Sequence, residues 1–319
     1  MTVPTYTVQT FAMKGIREQL SDTISNIDPM DTPLFSKFSK GTAKTRTPEW
    51  QIDAHRAANP NNAVVEGSDA TNIQTTATTR LKNVVQLFEG TVQVSTTSEA
   101  VDAAGRSSEM AYQIAKEGKA LRTDIEARIS GNYASVLGDD STAGAMAGYE
   151  AWITTNDSRA GSQGGFNTGT GLVAAASDGT QRALTETIFK GAIKTCWENG
   201  AKAPMVVTGP FNKQVISSFA GIAQATNEVK ASDMVTIVGA ADVYVSDFGR
   251  HMIMPSRLSR DRSVLLVDPA YWEVMFLQPF KTEPLAKTGH SIRRMISCEC
   301  TLKSRNEQAS GIIADLTTS

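Results

Sequence analysis

The sequence predicts an α+β chain in which a long helix and flanking strands surround an inserted helix-and-strand region. Three observations point there. Met110, Ile114, Leu121, Ile125, Ile129 and Tyr133 recur at spacings of four or seven, which lines one helical face. The segments 46–95 and 269–319 carry Val, Ile and Thr at strand period. Between them, residues 181–268 alternate helical and strand patterns.

Bulk properties narrow the class. At 319 residues and 40% hydrophobic content, the chain can bury a sizeable core. A net charge of −2 argues against a dedicated nucleic-acid binder, which usually carries a basic face. The sequence holds no run of apolar residues long enough for a membrane span. Met1-Thr-Val-Pro-Thr-Tyr has neither the basic nor the apolar region of a secretory signal. Three cysteines make no disulfide framework, so soluble, intracellular folding is expected.

Residues 1–45 read as an arm. A short helix is expected after Gly15, and Pro29 and Pro33 hold their predecessors extended. Ile24, Ile27, Met30, Leu34, Phe35 and Phe38 then need another surface to lie on. Residues 46–95 read as a hairpin of two long strands, with Trp50 and Ile52 on one and Leu81, Val84, Val85, Leu87, Val92 and Val94 on the return. Its middle, around Asn59-Pro-Asn-Asn and Glu66-Gly-Ser-Asp, is turn chemistry without core residues. Such a hairpin needs support from outside itself.

The helix is expected from Arg106 to about Leu137, a beam of about 45 Å. Lys116, Lys119, Arg122, Asp124, Glu126 and Arg128 are assigned to its other faces, with Asp124 and Arg128 as an i,i+4 pair. Residues 138–180 read as a long, partly ordered excursion loop anchored by Tyr149, Trp152 and Phe166. The helix and this loop form a unit spanning 96–180.

Within 181–268, Leu184 to Trp197 form an amphipathic helix closed by Asn199-Gly200. Pro204–Thr208 is a buried strand, and Pro210 opens a helix that Gly221 stops. Strands are expected at Thr236, Asp242–Ser246, Met252–Met254 and Ser263–Val267. The last unit, 269–319, is all strand: Trp272–Leu277, Ile292–Leu302 and a closing Gly311-Ile-Ile. Ile292, Ile296, Cys298, Cys300 and Leu302 share one parity, broken by Arg294.

Chemical motifs fail on context. His55, His251 and His290 are scattered, and Cys298 with Cys300 makes a poor zinc site. The glycine-rich Gly161–Gly171 lacks the preceding strand and following Lys of a phosphate cradle. Asp247-Phe-Gly has none of the companion motifs of a kinase and reads as a turn. Asn156-Asp-Ser matters as a glycosylation acceptor only in a secreted chain. Asp139-Asp140 belongs to a turn or to solvent. Arg257, Arg260 and Arg262 around Asp261 read as a solvated basic loop, or else as an intersubunit ion pair or anion contact. No residue is assigned a catalytic, cofactor-binding or metal-binding role. What is left is a set of elements that cannot satisfy themselves within one chain, and the first partner is the chain itself.

The order of these parts resembles the HK97-like capsid fold of tailed-phage major capsid proteins, most nearly the SU10-like major head proteins. The carrying residues are Asp28-Pro-Met-Asp-Thr-Pro-Leu-Phe, Val243-Tyr-Val-Ser-Asp-Phe-Gly, Leu285-Ala-Lys-Thr-Gly-His and Glu299–Ile313. The resemblance implies an N-terminal arm (1–45), an extended E-loop (46–95), a peripheral domain with a long spine helix (96–180 and 269–319) and an inserted axial domain (181–268). It implies a non-enzymatic shell protein, forming hexamers and pentamers of an icosahedral phage capsid around double-stranded DNA, without cofactor. The implied partners are other copies, a portal and DNA held non-specifically, with assembly controlled by a separate scaffold or by none and a decoration protein left open. The implied site is the virion, assembled in the host bacterial cytoplasm. An arm beginning near Met1 leaves no room for a long scaffolding segment, and a hairpin middle (58–71) without Lys implies no Lys–Asn weld, since Lys82 lies down the return strand. Competing readings are an encapsulin-type compartment of the same fold and a soluble α/β enzyme.

Overall fold

The computed structural model describes residues 32–70, 77–101, 107–219 and 243–319. In chain order the first elements are α1 (Pro33–Lys37), β1 (Ser39–Thr42), β2 (Glu49–Ile52), β3 (Thr79–Lys82), β4 (Gln86–Ser95), α2 (Thr96–Ala100) and α3 (Glu109–Ser130). Next come α4 (Tyr149–Trp152), β5 (Asp157–Ser158), β6 (Gly165–Asn167), β7 (Leu172–Ala174), α5 (Glu186–Glu198), β8 (Met205–Thr208) and α6 (Pro210–Ser217). Strands β9 (Val243–Ser246), β10 (Gly249–Pro255), β11 (Val264–Val267), β12 (Trp272–Pro284), β13 (Ser291–Ser304) and β14 (Gly311–Ile313) complete the chain.

Helix α3 is the beam, but local chemistry makes it shorter than its periodicity predicts. Ser108 caps the start, its hydroxyl accepting from the Ala111 amide at 3.2 Å. The end comes at Ser130, because Gly131 takes an extended conformation (φ −93°, ψ 173°). Arg128, expected to pair with Asp124, instead donates to the carbonyls of Met146 and Ala134 at 2.6 to 3.0 Å. A Cβ on Gly148 would lie 2.1 Å from the Gly131 oxygen, so the returning chain approaches the helix end as closely as only glycine permits. Tyr133 therefore falls outside the helix. The 22 residues that remain span about 33 Å.

The helix packs on a four-stranded sheet of order β1-β12-β13-β4. Ile296, Cys298, Cys300 and Leu302 of β13 are buried against Leu121, Ile125 and Ile129 of α3 in one core. The predicted parity thus selects the helix-facing side. Two expectations for the first hundred residues change. Residues 33–42 do not belong to a reaching arm: Leu34 and Phe38 are buried, Phe38 stacks on Trp272 at 6.0 Å, and β1 runs parallel to β12 as an edge strand. The expected helix after Gly15 and the extended residue before Pro29 lie outside the described residues. The hairpin pairs only β2 with β3, because β4, expected as its return strand, is hydrogen-bonded to β13.

Residues 138–180 are more structured than a loop. α4 is fully buried, the β6–β7 hairpin stacks Phe166 on Trp152 at 6.0 Å, and the Tyr149 hydroxyl donates to the Leu266 carbonyl at 2.7 Å. Three aromatic anchors in a polar stretch were the trace of this packing.

The second sheet has six strands in the order β5-β14-β11-β8-β10-β9. Both of its faces are covered. Met205, Val207, Leu265, Val267 and Ile312 point into the core shared with α3, while Val206, Val264, Leu266 and Ile313 point into a second core under α5 and α6. Such double burial explains why β8 and β11 read as unbroken apolar runs. The final strand, β14, was expected with the other strands of the 269–319 unit. It lies inside the six-stranded sheet instead, between β11 and β5. The region inserted in sequence is therefore interlocked with the chain's end. α6 begins at Pro210 as predicted, whereas Gly221 and the strand at Thr236 lie outside the described residues.

Candidate assembly surfaces

The hairpin leaves the body at a fixed root. Trp50 donates its indole N–H to the Ser304 carbonyl at 2.7 Å and packs 5.8 Å from Trp152. Arg80 and Glu49 pair across the two strands at 3.0 Å, on the surface. Beyond Ile52, every residue from 53 to 70 is exposed, including Val64 at 81% and Val65 at 79%. These two adjacent valines, at the end of a supported stem, belong to no core of the protomer.

The entry of the chain onto α3 is held by a residue that sequence reasoning misplaced. Glu126, assigned to a polar helix face, is fully buried. Its two oxygens accept the amides of Leu34 and Phe35 at 3.0 and 2.6 Å. Helix α1 has Pro33 in its first turn and no cap bond from the Thr32 side chain to a backbone amide, so its first amides need an acceptor from elsewhere. That missing cap was the available signal. Burial pushes the Glu126 carboxyl up to about 7, against the pull of the two amides and Lys40. Burial likewise lowers the Lys40 ammonium to about 8, and its Nζ lies 3.6 Å over the Phe35 ring.

Of the arginines around Asp261, Arg257 is exposed, whereas Arg260 and Arg262 are held within the chain instead of in a solvated loop. Arg260 bridges buried Glu150 at 2.8 Å and Asp178 at 2.5 Å, and Arg262 bridges Asp178 at 3.3 Å and Asp315 at 2.7 Å. Burial raises the Glu150 carboxyl despite Arg260 and Arg159 beside it. Asp315 also accepts the amides of Ala160, Gly161 and Gly179 at 2.9 to 3.0 Å. Burial opposes its ionisation, but these donors and Arg262 hold it below the usual range. The network fastens the chain's last residues to the loops around β5 and β11. Distance in sequence hid it: Arg260 and Glu150 are 110 positions apart.

The other candidate residues have structural work. His251 is buried, its Nδ1 and Nε2 each 2.8 Å from the Ala203 carbonyl and the Ser246 hydroxyl, and burial lowers its pKa. Asp247-Phe248 turns the chain from β9 into β10. Asp139 accepts the amides of Ser141 and Thr142, which hold its carboxyl at about 2. Gly165–Gly171 belongs to the β6–β7 hairpin and its turn. Cys298 and Cys300 are buried on β13, and His55 is exposed in the hairpin. Among the described residues, no three His, Cys, Asp or Glu side chains converge as metal ligands.

A long helix on a four-stranded sheet, a second sheet interlocked with it and a fully exposed hairpin make up the HK97-like class of fold. Solved structures agree on the fold. The capsid asymmetric unit of cyanophage A-1(L) superposes with a TM-score of 0.66 at 12% identity, covering 98% of this chain and 99% of that one. The SrpI encapsulin of Synechococcus elongatus gives 0.55 at 10% identity, covering 95% and 94%. A family model for the SU10 major capsid protein matches residues 3–317, and the chain belongs to that family. The major capsid protein of Escherichia phage Phieco32 is 25% identical over 95% of each chain. The protein is a phage major capsid protein, a structural component of the virion. No helix of the described residues is long and apolar enough to cross a membrane.

Proposed function

We propose that this capsid protein closes its shell through elements lent to neighbouring copies, chiefly the hairpin beyond Ile52. The observation that carries this is the full exposure of residues 53–70 with Val64 and Val65 at their centre. In this reading the copies form hexamers and pentamers of an icosahedral shell around double-stranded DNA. The α3 side, with the four-stranded sheet, is the peripheral domain, and the α5–α6 side of the six-stranded sheet is the axial domain. The residues before Thr32 serve as the arm. A portal and a separate scaffold or decoration protein complete the assembly, which takes place in the host bacterial cytoplasm. Weak, salt-sensitive phosphate contacts suit a lining that must release its genome, and the net charge of −2 supports that. The hairpin middle lacks Lys, which supports a shell without Lys–Asn welds. The protein performs no chemical turnover.

Replacing residues 58–70 by a short Gly-Ser turn tests the reading. The exposed tip contributes nothing to the protomer core, so the variant should stay soluble and melt like the parent. Interface contacts act collectively, so it should form no complete shells by electron microscopy. Normal shells would make the hairpin decorative, and global unfolding by circular dichroism would place it inside its own subunit. Nucleic acid in purified particles separates this reading from an encapsulin-type compartment.

A further inference from the structure

The four-stranded sheet ends in an uncovered strand. β13 occupies one side of β4, and no described segment pairs with the other. A free edge of ten residues is a template for another strand. Two clefts of about 450 and 460 Å³ lie end to end along it, one beside Gln86–Glu89 and one beside Thr91–Ser95, both walled by α3. At about 3.3 Å per residue the edge runs about 33 Å, the length of α3 itself. Its charge is one-sided: Glu89, Glu109, Glu117 and Asp124 line the clefts, against Arg128 alone.

One segment of this chain has the matching chemistry. Thr2–Phe11 is ten residues long and holds four Thr, two Val, Tyr6 and Phe11, all strand formers. Pro4 lacks an amide donor but is tolerated where a new edge strand faces solvent. Residues 1–17 carry Lys14 and Arg17 and no Asp or Glu. An uncharged, strand-forming segment of the right length, followed by Lys14 and Arg17 before the first acid at Glu18, suits a free edge lined by carboxylates and adds no like charge to it. We propose that residues 2–11 of one copy add as a fifth strand to the outer edge of β4 in an adjacent copy. Main-chain hydrogen bonds supply the pairing, and Lys14 and Arg17 meet the carboxylates at its end. This rests on the reading of the arm as an element lent to a neighbour.

Cysteine pairing in the full chain tests it, since the three native cysteines are buried. Thr91→Cys, at an exposed mid-strand position, is combined in turn with Thr5→Cys, Thr7→Cys and Gln9→Cys to sample register. Oxidised particles should give covalent multimers on non-reducing gels for at least one pair. A mobility shift at monomer mass alone would mean that the segment closes its own sheet. Assembled particles without any crosslink would refute the pairing while leaving the hairpin-tip experiment intact. A synthetic peptide of residues 1–17 provides a measurement that needs no variant chain. It should slow assembly of the parental protein several-fold, whereas the Thr7→Pro peptide, which loses a ladder amide, should not. Equal effects from the two peptides, or none, would overturn the proposal.

Discussion

Glu126→Gln is the most informative single substitution in the body of the protein, because its effect should shrink as pH rises. Burial moves the Glu126 carboxyl from 4.5 to about 7 in the folded chain. Between those values the folded state holds a proton that the unfolded state has released. Its contribution to stability is therefore complete below 4.5 and is lost as pH rises through 7. At 1.36 kcal/mol per pKa unit, the loss between about pH 5 and 7.5 is about 2 kcal/mol. Gln cannot titrate, but it offers one oxygen to the two amides of Leu34 and Phe35 and turns its own NH2 toward the other. An unmet buried amide costs about 1–3 kcal/mol. The variant should therefore be less stable than the parent near pH 5, with that deficit shrinking by about 2 kcal/mol by pH 7.5. Urea unfolding of unassembled protein, followed by tryptophan fluorescence across that range, reads the difference directly. Lys40, lowered to about 8, begins to titrate only at the top of that range. Taking variant minus parent cancels Glu150, Asp157 and His251. A stability difference that stays constant across the range would refute the assignment of a buried, proton-holding carboxyl.

Other substitutions probe the remaining joints. Ile125→Asp places a carboxylate at a fully buried position between α3 and β13 and should cost several kcal/mol, about 3 or more, so wild-type yields of soluble protein would disprove that packing. Asp315→Asn keeps a residue that tolerates the φ of 59° at that position but removes the charge that Arg262 faces. It should lower stability by about 2–4 kcal/mol at neutral pH, and by less in acid, where the parent's depressed carboxyl also protonates. An unchanged melting temperature would show the network to be ornamental. All three cysteines are buried and burial pushes the Cys196 thiol up to about 12, so native protein should resist thiol reagents until it is unfolded; fast labelling in buffer would contradict the core.

What the sequence could show depended on how far each signal travels along the chain. Parity exposed the β13 stripe from Ile296 to Leu302, and Pro210 marked the start of α6, because strand and helix periods are local. The same periodicity overran the end of α3, since Tyr133 continues the spacing while Gly131 ends the helix. Periodicity cannot see a backbone that Gly148 approaches from across the fold. Glu126 and the arginines at 260 and 262 were given other roles because their partners lie about 50 to 110 positions away, one of them, Asp178, in a stretch that reads as loop. Exposure of the hairpin was legible from its composition, although the exchange of β4 for a shorter return strand was not. Pairing partners of short apolar strands such as β14 carry no sequence mark at all.

The position of β14 also sets a schedule. It lies within the six-stranded sheet, hydrogen-bonded to β11 on one side and β5 on the other, yet it is made of residues 311–313. Strands synthesised more than a hundred residues earlier wait for it, so the sheet cannot close on a nascent chain. Long-range pairings of this kind form late in folding. Truncated products lack the wedge that joins β5 to β11, and with it the register of both cores. A shell made of many copies tolerates few defective ones, and this topology makes completion of the polypeptide a precondition for having a building block to assemble.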